Sequence, residues 1–421
     1  MNRQKRKALI IGGGIAGPVA ALLLQRAGIE AEIYEARAES TDYGGSFLNM
    51  ACNGLGVLKT LGLDDQVSSQ GSSIPRMIIW SGKGKRLGEV RNGARAEVGA
   101  PSINIMRSSL HQVLQEEAER HGIKIAFGKK LQDLSTSEQG VIATFADGTT
   151  AEGSFLVGCD GVRSRTLQLI NPNAPTPQYT GLISTGGFAP HSSFPPTPDT
   201  MHFVFGKRAF FGYHISSSGE LYWFVNFPQK AAPAKGDLDM IESEEWQERM
   251  LDLFREDLPL ISEMIRATQS TIIGYPIYDI STQPIWHHGS VVLVGDAIHA
   301  VSPNAGQGAS LAVEDAIVLA KCLRDISNLE QAFATYERLR RARVERMVQH
   351  GRGAGQGKVM TNPIQVWFRD RLAPLFLKLF ANPAALDWVY SYKVNWDEPV
   401  DARASDPIES QKDASRVGVA K

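Results

Sequence analysis

The sequence predicts an α/β protein, α+β in its outer part: a mostly parallel sheet covered by helices, with an antiparallel sheet inserted into it. Three observations predict this. An apolar run, Lys7–Ile11, feeds a glycine turn and then an apolar-faced helix. A second strand-turn-helix, VVLVGDAIHAVSPNAGQGASLAVEDA, occupies Val291–Ala316. Between them lie three β-like runs rich in Phe, Tyr and Trp, at Met201–Phe205, Ala209–Ile215 and Leu221–Phe227. Continuous apolar strands next to helices belong to a sheet buried on both faces, and alternating aromatic strands to a sheet with one face on a core.

The elements follow in order. Lys7–Ile11 is a buried strand, Ile15–Ala27 a helix closed by Gly28, and Ala31–Glu35 a second strand, together a βαβ opening. A helix is expected around Gly54–Leu61. Arg76–Gly82 and Arg86–Val90 read as a hairpin about Gly82-Lys83-Gly84. Ile103–Arg107 leads into a helix at Ser109–His121, where Ser109 and Gln112 fit a capping box. Strands are expected at Lys124–Phe127, Val141–Phe145 and Phe155–Gly158, with Asp147-Gly148 turning between the last two.

From about residue 176, prolines at 175, 177, 190, 195, 196 and 198 mark a loop-rich stretch before the aromatic runs. Helices are expected at Ser243–Arg255 and Leu260–Ala267, and again from the Gly306 region to about Val348. Residues 1–75, 100–175 and 272–355 thus form a nucleotide-binding unit, and 76–99 and 176–271 the inserted sheet. Residues 356–399 form C-terminal helices, and the polar stretch 400–421 is expected to be disordered.

Composition narrows the function classes. A formal charge of −1 over 421 residues gives no global field for nucleic acid or an anionic membrane. No run approaches the roughly 18 apolar residues of a membrane span. No secretory signal fits either, because the apolar stretch Ala8–Ile15 runs into glycines rather than a cleavage site. Three cysteines, widely spaced, argue for a reducing compartment and against a metal site. The expectation is a cytoplasmic enzyme, monomer or homodimer, without metal.

Two segments carry the chemistry. In Gly12-x-Gly14-x-x-Gly17 the first glycine permits a tight turn, the second lets backbone approach a pyrophosphate, and the third permits close helix–strand contact. Helix N-terminal amides then face the phosphates. Glu35 ends the next strand, where a carboxylate can accept from a ribose diol. In the Val291–Ala316 segment, Asp296 sits at a strand's C-terminal edge, suited to the hydroxyls of a ribityl chain. Gly306-Gln307-Gly308 opens a helix whose bare amides would stabilise negative charge. Two such elements about 280 residues apart imply one long ligand held at both ends, which points to FAD.

With a third motif, Cys159-Asp160-Gly161-Val162-Arg163-Ser164, the chain resembles the single-component aromatic hydroxylases, the para-hydroxybenzoate hydroxylase-like flavoprotein monooxygenases. The resemblance spans roughly residues 7–350 and implies a Rossmann-like FAD-binding domain. It implies cofactor contacts from Gly12, Gly14, Ile15, Ala16 and Gly17, and from Glu35 and Arg37. Gly45 and Ser46 would flank the ring, and Arg107 and Leu131 would join them. Asp160 is linked to cofactor and nicotinamide use, or else serves only its own turn. Asp296 and Gly306, Gln307, Gly308 and Ala309 complete the set.

Pro303, Gly306 and Gly308 would position the flavin, with no dedicated acid or base. His299 is read as bracing the loop rather than as a base. The family has an arginine where this chain has Leu167, which leaves Arg165 as the nearest candidate for nicotinamide binding.

The chemistry so implied is reduction by NADPH or NADH, reaction with O₂ to a flavin C4a-hydroperoxide, and hydroxylation of a small aromatic molecule. Alternation offers Phe211, Tyr213, Trp223 and Val225 as the substrate roof. With no arginine or tyrosine cluster beyond Arg208, the substrate is expected to be largely apolar, aromatic or polycyclic. A reductase, an oxidase, a halogenase or a non-enzymatic redox module on the same fold are the alternatives. The sequence contains no Trp-x-Trp-x-Ile-Pro segment of the halogenase kind.

Overall fold

The computed structural model describes residues 6–38, 47–94, 100–138, 140–280, 283–356, 366, 368, 371–372 and 383–401. Lys7–Ile11 is apolar and buried from Ala8 onward because it lies inside a six-stranded sheet. Phe155–Gly158 and Glu30–Tyr34 flank it in parallel, and Val291–Leu293 and Lys124–Ala126 continue the parallel order outward. Only the short His287–His288 runs antiparallel, at one edge.

The helix Ala16–Arg26 is buried at every residue from Ala16 to Leu24. Its apolar surface extends almost all round because it is held between the parallel sheet and the helix Gly308–Asp325. Pro18 falls in the first turn, where a missing N–H costs no intrahelical bond. At the other end Gly28, with φ +78, lets the Gly28 and Ile29 amides reach the Gln25 and Leu24 carbonyls.

A second sheet has seven strands, in the order Ile273–Asp279, Gln178–Ala189, Leu221–Pro228, Phe210–Ile215, Thr200–Phe205, Arg76–Ser81, Arg86–Arg91. All pairs are antiparallel except Thr200–Phe205 against Arg76–Ser81. One face packs on the helices Ser243–Leu253 and Pro259–Arg266. There Phe211, Trp223 and Val225 join Trp246, Phe254 and Ile261 in a closed core. A small sheet of Phe47–Met50, Ile103–Met106 and Gly71–Ser73 forms separately.

Several elements depart from the sequence reading. Gln178–Ala189 is a twelve-residue strand in the stretch expected to be loop. Pro175, Pro177 and Pro190 flank it, outside the hydrogen-bonded ladder. Ile273–Asp279 pairs at the edge of the seven-stranded sheet, although residues 272–355 were expected in the nucleotide unit. Its Pro276 is tolerated because an edge strand leaves some N–H groups unpaired.

Asp147-Gly148 turns into a further strand, Thr150–Gly153, within a three-stranded sheet that also contains Leu131–Ser137 and Gly140–Phe145. The capping box does not form. The helix begins at Arg107, so Ser109 lies inside the first turn, and the Gln112 side chain donates to Glu116 at 2.7 Å. The C-terminal helical run is two helices, Gly308–Asp325 and Leu329–Gln356. Among the described residues no helix is long and apolar enough to cross a membrane.

Candidate active site

One cavity of about 1690 Å³ runs between the two large sheets. Sites for a single drug-sized ligand occupy roughly 300–1,000 Å³, so this one has room for a long ligand and a second small one.

At one end stands the turn after Lys7–Ile11. Gly12 adopts φ +105, and a Cβ there would lie 2.4 Å from the carbonyl oxygen of Cys159, just past the end of the neighbouring strand. Gly17 supports the turn from beneath, since its Cβ would meet the Gly12 carbonyl oxygen at 2.0 Å. Gly14 is different: a Cβ there meets no protein atom within 4 Å. Glu35 accepts from the Gly13 amide at 2.7 Å and the Arg37 amide at 3.0 Å. Each carboxylate oxygen retains a lone pair for a further donor. Buried His111 reaches the Gly13 carbonyl at 2.7 Å, and burial lowers its pKa.

Asp160 lines the cavity but spends its oxygens locally. Ser164 Oγ donates to one at 2.6 Å, and the Thr166 amide and hydroxyl to the other at 2.9 and 3.0 Å. Burial still pushes its carboxyl up against these bonds. This carboxylate holds the start of the helix Arg165–Ile170.

At the middle of the cavity Gly295, with φ +64, turns the chain so that Asp296 opens the short helix Asp296–His299. Asp296 is exposed to the cavity. Burial by the surrounding protein raises its pKa, against the pull of His299 and Arg107. Pro303 begins a 3₁₀ turn, and Gly306 takes a left-handed conformation with φ +59. The helix that follows starts at Gly308, so its first amides lie at the cavity wall.

Behind this turn lies a sealed set of charges. Glu314 and Asp315 are fully buried in the helix Gly308–Asp325, opposite Arg340 and Arg343 of the next helix. Arg340 bridges both acids at 2.8 and 2.7 Å, and Arg343 grips Glu314 at 2.8 Å. Asp315 also binds His299 Nε2 and accepts from the Gly295 amide at 3.0 Å. Asn53 donates to both Glu314, at 2.6 Å, and Gln307, at 3.0 Å. Burial pushes both carboxyls up, but the arginines, with His299 at Asp315, outweigh it and hold them below the usual range. Removing one partner of such a set costs about 3–5 kcal/mol, because it strands a charge.

The third wall is the seven-stranded sheet, and its register decides which side chains face inward. Cross-strand partners share a face. One inward row reads Ile79, Phe203, Gly212, Phe224, Gly186, Ile273. Gly212 is required there because a Cβ would strike the Phe224 ring at 2.2 Å. The next inward row includes Phe205, Phe210, Asn226, Ser184 and Tyr275.

The structure therefore brings Gly12, Gly14, Ile15, Ala16, Glu35, Arg37, Arg107, Leu131 and Asp160 to one wall. It joins them to Asp296, Pro303, Gly306, Gln307, Gly308 and Ala309. Gly17 does not line the cavity; it packs under Gly12. Gly45 and Ser46 lie outside the described residues. Phe211, Tyr213 and Val225 face the covering helices instead of the cavity, one residue out of phase with the inward rows. Trp223 borders the cavity, but its ring is buried on the helix side, stacked on Phe211 with centroids 5.7 Å apart.

Sequence reasoning missed His111, Asn53, Asn226 and the Glu314–Arg343 set. One signal was present: adjacent acids in an apolar helix, and arginines three apart in the next.

Comparisons with known proteins identify the family. The family described as FAD binding domain matches residues 5–351. Aurachin C monooxygenase/isomerase of Stigmatella aurantiaca is 33% identical, over 86% of this chain and 92% of its own. The 6-hydroxynicotinate 3-monooxygenase of Pseudomonas fluorescens is 29% identical, over 82% and 90%. A solved structure, Klebsiella pneumoniae HpxO complexed with FAD and uric acid, superposes with a TM-score of 0.78 at 25% identity. It covers 88% of this chain and 93% of that one.

Proposed function

Because the chain belongs to the FAD binding domain family and is an FAD-dependent monooxygenase, we propose that it hydroxylates a largely apolar aromatic small molecule using NAD(P)H and O₂. The observation that carries this reading is the continuity of one cavity from the Gly12–Gly14 turn, past Asp296 and Pro303, to an aromatic sheet face. Relatives named for 6-hydroxynicotinate and urate support an aromatic ring as the reacting group. The inward rows support an apolar one here: Ile79, Phe203, Phe224 and Ile273 line the roof, and no arginine or lysine of the seven-stranded sheet lies among the described lining residues.

The residues fit FAD. The space in front of Gly14, where an added Cβ would meet nothing, suits a pyrophosphate against the helix amides. Gln307 Nε2 is fully buried at the cavity wall with no protein partner, a donor left over for a ligand. Glu35 and Arg37 would hold the adenosine ribose and Asp296 the ribityl hydroxyls. The first amides of the helix from Gly308 would face the pyrimidine.

The chemistry FAD supplies when bound is hydride acceptance from the nicotinamide and activation of O₂. The net change is Ar–H + NAD(P)H + H⁺ + O₂ → Ar–OH + NAD(P)⁺ + H₂O. The chain's task is to orient and to exclude water. Pro303 and Gly306 would hold the loop close to the bound flavin, and the Glu314–Arg340 set would fix that loop from behind. The sheet's apolar row holds the substrate and displaces solvent. Three free cysteines support a reducing, cytoplasmic setting.

The test is a screen of electron-rich aromatics for stimulated NAD(P)H oxidation, with product mass measured under ¹⁸O₂. One labelled oxygen atom in the product is expected. Oxidation of NAD(P)H without label in any product would overturn the reading.

A further inference from the structure

Asn226 is the only amide side chain that the seven-stranded sheet presents to the cavity among the described residues. It stands in register between Phe210 and Ser184, with Tyr275 beyond Ser184. The inward face is thus divided: an apolar row from Ile79 to Ile273, and beside it a partly polar row centred on Asn226.

Asn226 is 2% exposed, and its two polar atoms are treated differently. Nδ2 donates to Asn304 Oδ1 at 3.2 Å, reaching across to the residue after Pro303. Asn304 is itself held by its Nδ2 bond to Ser302 Oγ at 2.9 Å, so the amide's orientation is set from the loop. Oδ1 is buried and has no partner in the protein. Buried carbonyl oxygens are almost always satisfied, and an orphan is costly.

We infer that Asn226 Oδ1 accepts a hydrogen bond from a hydroxyl or N–H on the substrate's aromatic ring, and so selects ring compounds that carry such a donor. This rests on the reading of the cavity as an aromatic-substrate site. The donor would lie on the polar row and the ring on the apolar row, and the Asn304 link would set both relative to Pro303. A ring bearing an ether in place of the donor leaves Oδ1 unpaired, and sites built for a donor reject such analogues strongly.

The experiment uses the FAD-loaded protein and two bicyclic probes of nearly equal shape, 1-naphthol and 1-methoxynaphthalene. Binding is read from the change in flavin absorbance. The native protein is expected to bind 1-naphthol about tenfold more tightly or better. Asn226→Ala is expected to bring the two probes within about threefold of each other.

Asn304→Ala removes the brace and keeps the acceptor, so it should weaken both probes alike and preserve the preference. Retained FAD is the folding control, and Asn226→Ser takes the alanine variant's place if that one loses FAD. The inference is overturned if the native protein shows no preference, binding of neither probe included. It is equally overturned if Asn226→Ala weakens both probes equally. The titration needs no turnover. A naphthol preference that depends on Asn226, with no ¹⁸O in any product, would sustain this inference and sink the monooxygenation of aromatics.

Discussion

Glu35 meets the Gly13 amide at 2.7 Å across only 22 residues of sequence. Asn226 and Tyr275 meet Ser184 on one face because strands separated by hairpins, helices and a proline-rich loop hold a fixed register. The first end of the cavity is made of backbone and glycine, and its geometry follows from local spacing. The second is made of side chains, and its geometry follows from pairing between distant strands. Cofactor recognition is therefore concentrated in a few short segments. On the proposed reading, substrate recognition would be spread over strands from Arg76 to Asp279.

The largest effect that could break this comparison lies on the sheet. Phe211 and Phe224 are on neighbouring strands but on opposite faces. Phe211→Ala opens a cavity in the core under the helices and should cost ~3–5 kcal/mol in urea unfolding. Phe224→Ala should cost about 1 kcal/mol but weaken binding of 1-naphthol, since its half-buried ring faces the cavity. If instead Phe211→Ala impaired ligand binding at unchanged stability, the inward and outward faces would be exchanged.

The glycine turn offers a matching pair. Gly17→Ala drives a methyl into the Gly12 carbonyl and should cost roughly 1–3 kcal/mol of stability as well as FAD. Gly14→Ala meets no protein atom, so stability should shift by less than about 0.5 kcal/mol. Its FAD affinity should fall about tenfold or more, because the methyl enters the space for the phosphates. Thermal melts of the apoprotein and FAD titration separate the two. Equal apoprotein stabilities would mean that the turn tolerates both.

The same contrast explains what could be read from the sequence. Gly12–Gly17, Glu35, Asp296 and Gly306–Gly308 were legible because each chemical requirement sits within a few residues of a strand or helix end. The sheet itself was legible in its three aromatic runs, yet Gln178–Ala189 and Ile273–Asp279 were not. Both are read as strands only when the partner across the ladder is known. Alternation located the two faces of Phe210–Ile215, but every residue in that strand is buried. With helices on one side and a cavity on the other, polarity gives no sign of which face is which. Asn226 was hidden for the same reason, as a single amide inside LYWFVNFP.

Asp296→Ala tests the junction between the two ends. Its carboxylate lies within the electrostatic reach of Arg107 and His299, facing the cavity. Loss of hydrogen bonds to a charged group should raise the FAD dissociation constant about 10- to 100-fold. The apoprotein should keep its stability within about 0.5 kcal/mol, because the side chain is exposed to the cavity. Stoichiometric FAD at native affinity after gel filtration would refute the assignment of Asp296 to the ribityl chain.

The smallest effect concerns pH, and it discriminates because the sheet holds two histidines kept neutral by their surroundings. Burial lowers the pKa of His202 to about 4, with His214 and Arg76 adding to it, and burial lowers that of His214 as well. His202 Nδ1 accepts from Trp80 Nε1 at 3.0 Å, a bond that the protonated ring would lose. In the unfolded chain the same imidazole takes its proton near pH 6.5. Between these values the unfolded state binds more protons, so stability rises with pH. The His202 contribution is complete above about pH 6.5 and drains away as pH falls towards 4. Because the ring is only partly buried, the loss should be about 1–2 kcal/mol rather than the full shift. His202→Gln keeps an acceptor for Trp80 and should flatten the pH dependence of urea midpoints by that amount. An unchanged slope would mean that the proton is taken up elsewhere, with His214 on the same strand pair and His111 at the glycine turn the next groups to replace.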